Sequence, residues 1–129
     1  YPCTVTLEGI TYPATENAYQ AMKCENTVDR LKFVDIPAGK AKRLGRKIEV
    51  RKDWESVKED VMNQLLAIKF SQDFFKQKLL NTGDAEIQEG NAWGDLFWGV
   101  DIITGEGKNK LGKRIMLIRK ILREGIANA

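Results

Sequence analysis

The chain has 129 residues, 43% apolar and 30% charged, and a formal net charge of +3. That length suits one compact domain with its own core, standing without a structural metal or disulfide, and the composition excludes a disordered or repetitive polymer. The chain contains no histidine, and Cys3 and Cys24 lack the spacing of a zinc knuckle or redox pair. Ser-His-Asp and Cys-His catalysis, the metzincin motif and histidine general bases are thereby excluded, no histidine completes a metal site with the cysteines, and proton transfer falls to Asp, Glu, Lys, Tyr or Cys.

The cysteines read as free thiols of a reducing compartment. No apolar run is long enough for a membrane helix and no basic-then-apolar leader opens the chain, so a cytoplasmic protein without a membrane partner is expected. The chain starts at Tyr1, inside an apparent strand and without methionine, so a few native N-terminal residues are expected to be missing. Residues 37–52 carry seven cations against Glu49 alone, and residues 108–124 carry seven against Glu124. The remainder is net acidic, so two surfaces should attract anions such as phosphates. Nucleic acid stays open as a partner, although no arginine-aromatic interleaving supports it and solvated helix faces have the same composition.

In chain order, Thr4-Val5-Thr6-Leu7 and Ile10-Thr11-Tyr12 alternate about Glu8-Gly9, predicting a hairpin that Pro13 ends. Thr15 then caps a helix through Lys23, with Glu16 in its first turn. Glu16, Tyr19 or Gln20, and Lys23 share one face of it, an acid, a phenol or amide, and an amine where a core face would be apolar. Pro37 to Lys47 predicts a basic helix. Asp53 caps a longer one that reaches about Phe70, with Trp54, Val57, Val61, Leu65 and Ile68 at helical spacing. Gln72 to Leu80 forms another, and Thr82-Gly83-Asp84 stops it.

Ala85 to Glu89 reads as a short strand leading into the Trp- and Gly-rich run 91–99. The last helix starts near Asn109, with Leu111, Ile115, Ile118 and Leu122 on one face. Before it, residues 104–112 supply glycines and cations that could cradle a phosphate, although they match neither common phosphate-loop spacing. The pattern gives an α+β fold in which helices predominate and strands are short.

Five blocks in order carry a resemblance to a family. They are Thr15-Glu16-Asn17-Ala18-Tyr19-Gln20-Ala21-Met22-Lys23; Arg51-Lys52-Asp53-Trp54-Glu55-Ser56-Val57-Lys58 with Met62 and Lys69-Phe70; Leu79-Leu80-Asn81-Thr82-Gly83-Asp84 with Glu89; Asp95-Leu96-Phe97-Trp98-Gly99; and Gly107-Lys108-Asn109-Lys110-Leu111-Gly112 through Met116 and Arg119. Together they resemble the NADAR, or YbiA-like, family over nearly the whole chain, which implies a single YbiA-like domain over residues 1–129. The resemblance further implies chemistry on N-glycosidic bonds. Relatives split riboflavin-pathway intermediates into a pyrimidine and ribose 5-phosphate, and other branches act on ADP-ribose attached to guanine.

Carried over residue by residue, the resemblance makes Glu16, Lys23, Asp95 and Trp98 catalytic candidates, with Lys23 the candidate nucleophile of the ADP-ribose branch. Breaking a C1′–N bond builds positive charge on the sugar, which a carboxylate such as Glu16 stabilises while Asp95 or solvent protonates the leaving base. A desolvated Lys23 could instead attack C1′ and pass through a Schiff base. Trp54 or Trp98 could stack on the base, Tyr19 lies on the Glu16 face, and Arg46, Lys108, Asn109 and Lys110 could hold the phosphate. The expected partner is a small phosphorylated ribosyl substrate, with no metal and no organic cofactor.

Against these roles, Trp54 also opens the apolar stripe of the long helix, Asp95 could cap a turn, and Trp93 reads as structural. The chain departs from the family at Asn17, where relatives commonly carry histidine, in a segment between Glu89 and Asp95 that is one residue longer, and at Val100-Asp101. These departures bear on substrate identity before reaction type.

Overall fold

A computed structural model describes residues 3–91 and 94–127, with side chains to residue 125. Trp93 lies outside the described residues. The fold is α+β and predominantly helical, with two compact units, Tyr1–Ser71 and Gln72–Ala129.

The first unit opens with β1 (Val5–Leu7) and β2 (Ile10–Tyr12), paired antiparallel with Leu7 opposite Ile10. Both residues of the connecting turn have positive φ, 49° at Glu8 and 80° at Gly9, which matches the twist of a two-residue hairpin. Alternation buries Val5 and Leu7 and leaves Thr6 outside, where its hydroxyl bonds that of Thr11 at 2.8 Å. Helix α1 (Thr15–Ala21) follows. Ala14, in an extended conformation, occupies the cap position, so Thr15 is already the first helical residue and is not the predicted cap. The helix also ends two residues short of Lys23.

Residues 27–33, for which the sequence predicted no element, form α2 (Thr27–Arg30) and a 3-10 turn, Leu31–Phe33. Asn26 caps α2 by accepting from Asp29 N–H at 2.8 Å and donating to the Asp29 carboxylate at 2.9 Å, a reciprocal cap. Helix α3 (Ala38–Gly45) has Pro37 in the cap position. Helix α4 (Trp54–Ser71) starts on backbone bonds from Ser56 and Val57 to the Asp53 carbonyl, while the Asp53 carboxylate pairs with Arg51 at 2.6 Å. Helix α1 packs against α3, α4 and the 3-10 turn. Tyr12, Ala18, Ala21, Phe33, Ala41, Val61 and Leu65 form the interior of this unit.

The second unit holds α5 (Asp73–Leu80), the two-residue strands β3 (Gly90–Asn91) and β4 (Val100–Asp101), and α6 (Lys110–Ala127). The strands pair in parallel and α5 packs on α6. Residues 85–89 are not the predicted strand. Their backbone groups are taken by side chains from the start of α6: Asn109 accepts from Glu89 N–H at 3.0 Å and donates to the Ile87 carbonyl at 2.9 Å, and Ile87 N–H lies 3.4 Å from Met116 Sδ. Those three groups are withdrawn from strand pairing, while the Glu89 carbonyl accepts from Val100 N–H of β4 at 2.9 Å.

Candidate active site

In the first unit, one turn of α1 and the residues after it assemble the group that the sequence placed on a single face. Glu16 lies in the first turn, where the partial positive charge of the helix start favours a carboxylate. Gln20, one turn later, donates from Nε2 to Glu16 Oε1 at 3.1 Å. Lys23 lies just beyond the helix, its carbonyl accepting from Arg51 N–H at 2.8 Å and its Nζ 5.8 Å from the centre of the Tyr19 ring. The Tyr19 ring meets Trp54 edge to face at 5.2 Å.

Lys23 is half-buried, and burial pushes its pKa below the ordinary 10.5. The Glu16 carboxylate opposes that shift, and Arg46 and Lys58 add to it. The structure therefore brings Glu16, Tyr19, Lys23, Arg46 and Trp54 into one neighbourhood around the α1 face. Lys58 joins them from α4, its ammonium 2.6 Å from Glu55. Sequence reasoning missed Lys58, which reaches Lys23 only through packing of α4 on α1. Trp54 is 7% exposed, which matches its alternative reading as a core residue and leaves little ring face for a base.

Asn17, at one of the departures from the family, is fully buried and donates to the carbonyls of Phe33 at 2.9 Å and Ile36 at 2.7 Å. It thus ties α1 to the chain that leads into α3.

In the second unit, Asp95 closes a turn. Its Oδ1 accepts from Phe97 N–H at 3.2 Å and Trp98 N–H at 3.0 Å, and its backbone is held at both ends by the Asn91 side chain. The Trp98 indole is 8% exposed and meets Phe97 edge to face at 4.8 Å. Asn109, expected to hold phosphate, is buried with φ +50° and uses its amide to fix residues 87–89.

Lys108 and Lys110 approach the Phe97 ring, at 5.6 and 5.0 Å from its centre. With Lys113, Arg114 and Leu117 they line a cleft of about 430 Å³. Lys113 and Arg114 were missed, although Lys110, Lys113, Arg114 and Leu117 stand at i, i+3, i+4 and i+7, a spacing the sequence displays. Four cations thus line one cleft.

Among the described residues, no helix is long and apolar enough to cross a membrane, and no group of three or more Cys, Asp or Glu is placed to hold a metal ion.

Comparison with known proteins agrees with the fold. The solution structure of Escherichia coli YbiA superposes with a TM-score of 0.82 at 33% identity, covering 98% of this chain and 77% of that one. The E. coli N-glycosidase YbiA is 37% identical over 123 residues, 92% of this chain and 75% of the relative. A riboflavin biosynthesis protein of Vibrio vulnificus is 36% identical over 128 residues, 96% of this chain, which spans only 34% of that longer protein. Residues 2–123 match the NADAR domain across both units, and the chain belongs to the NADAR family.

Proposed function

We propose that the chain is a hydrolase of N-glycosyl bonds, separating a ribose from a base in a small phosphorylated, nucleoside-like substrate of the riboflavin-intermediate type. The names of its relatives, N-glycosidase and riboflavin biosynthesis protein, support the reaction class. The observation that carries the reading is the half-buried Lys23 amine, made more acidic by burial, Arg46 and Lys58, with the Glu16 carboxylate beside it. A lysine held in this way gives up its proton more readily, although Glu16 opposes the shift, and its amine attacks carbon once deprotonated.

The Lys23 lone pair forms a bond to C1′ while the C1′–N bond breaks. The base leaves with the electron pair and takes a proton from solvent. The positive charge that builds on the sugar is stabilised by Glu16, which then accepts the proton released from the alkylated amine. Opening of the ring, with a proton delivered to its oxygen, leaves a Schiff base. Water adds to that C=N bond, releasing the sugar and restoring the amine. Every step uses side chains and water.

Asp95 is assigned to holding the turn that carries Trp98, because its Oδ1 already accepts two backbone N–H bonds. In the second unit, Lys108 and Lys110, together with Lys113 and Arg114, are assigned to a phosphate. Asn109 is assigned to the fold.

The test is borohydride trapping during turnover of a ribosylaminopyrimidine 5′-phosphate, followed by peptide mass mapping. A reduced sugar adduct on Lys23, absent in Lys23→Arg, is expected. Turnover without any adduct, or undiminished turnover by Lys23→Arg, would overturn the lysine route.

A further inference from the structure

Gln20 lies at the interior end of the α1 face, 6% exposed, and its amide is only half satisfied. Nε2 donates to Glu16 Oε1 at 3.1 Å, whereas Oε1 is buried and accepts no hydrogen bond. An apolar side chain of the same length would fill this position without leaving a buried acceptor unpaired. Gly45, the last residue of α3, stands directly against that amide. A Cβ there would overlap Gln20 Oε1 and lie 2.7 Å from Cδ and 3.2 Å from Cγ. The backbone of Gly45 is outside the left-handed region, so nothing in its own conformation calls for glycine. Here the missing side chain is the space that Gln20 occupies.

We infer that Gln20, given its space by Gly45, is a positioning residue that fixes the Glu16 carboxylate against the reacting sugar. The inference rests on the reading of Glu16 as the carboxylate of the reaction. Glu16 is part-exposed on a short helix and would otherwise sample several rotamers. The amide anchors one of its oxygens from the interior side, and the absence of a side chain at Gly45 leaves the room in which the amide can do so. A carboxylate that must oppose charge developing at one carbon works only if it is already in position, and small misplacements lower rate more than affinity.

The experiment is steady-state hydrolysis of a ribosylaminopyrimidine 5′-phosphate by Gln20→Met, Gly45→Ala, Gln20→Ala and the Gly45→Ala/Gln20→Ala double variant, with Glu16→Gln as control and thermal melting on each. Gln20→Met keeps the shape and removes the orphaned acceptor. It is expected to lower kcat by about 10- to 100-fold while KM stays within about twofold, with melting unchanged. Gly45→Ala should lower kcat similarly on its own but add nothing in the Gln20→Ala background, since it acts through Gln20. Full turnover by Gln20→Met with an inactive Glu16→Gln overturns the positioning role alone. Full turnover by Glu16→Gln overturns the catalytic reading beneath it. Should Gln20→Met fail to fold, the Gly45→Ala cycle decides: additive losses overturn the inference.

Discussion

Replacing Asn109 by alanine should detach residues 87–89 from the start of α6. The substitution removes the bonds to Glu89 N–H and the Ile87 carbonyl, both part-buried, at a cost of about 1 kcal/mol each. It also puts alanine at φ +50°, a left-handed conformation that asparagine tolerates better, for about 1 kcal/mol more. The expected loss is about 3 kcal/mol, read from urea unfolding followed by far-ultraviolet circular dichroism. Asn109→Gly loses the same bonds without the conformational cost and should be about 1 kcal/mol more stable than the alanine variant. An alanine variant within about 0.5 kcal/mol of the parent, the size of an ordinary surface change, would refute this account of the segment.

Three further outcomes are expected. Leu65→Ala, at a site 1% exposed on α4, should cost about 2–5 kcal/mol in the same unfolding measurement, and a loss below about 1 kcal/mol would contradict its place in the core. Because burial depresses the pKa of Lys23, the folded protein holds that proton more weakly than the unfolded chain does. Stability from this residue should therefore rise as pH climbs from the depressed value to the ordinary 10.5 and be lost as pH falls again. Lys23→Met should flatten that part of the stability profile, and an unchanged slope would refute the linkage. Asp95→Asn keeps an oxygen for Phe97 and Trp98 N–H and should melt with the parent, whereas Asp95→Ala should lose about 1–2 kcal/mol; equal melting of the two variants would contradict the turn-holding role.

Local chemistry made most of the helices and the hairpin legible. Glu8-Gly9 supplies the positive φ of its turn, and Trp54, Val61 and Leu65 mark the buried side of α4. The Asn26-to-Asp29 cap was equally local, and reading it would have placed α2. Residues 85–89 failed as a strand because both backbone groups of Ile87 and the N–H of Glu89 are taken by Asn109 and Met116, more than 19 positions away in the chain. The two-residue parallel pairing of β3 with β4 carries too short a pattern to detect. In the candidate site, Glu16 and Tyr19 were legible because helical spacing puts them on one face, and Lys23, just past the helix end, still reaches the Tyr19 ring. Lys58 beside Lys23, and Gly45 against Gln20, exist only through packing of α4 and α3 on α1.

The central claim is cleavage of a bond between ribose and base. Mass spectrometry of the purified chain incubated with ribosylaminopyrimidine phosphates, ADP-ribosylated guanine in DNA, ADP-ribose and NAD reads that event directly. The account predicts matched release of free base and sugar from one of these substrates, lost in Glu16→Gln. Binding without release from any of them, or release that survives Glu16→Gln, would contradict it.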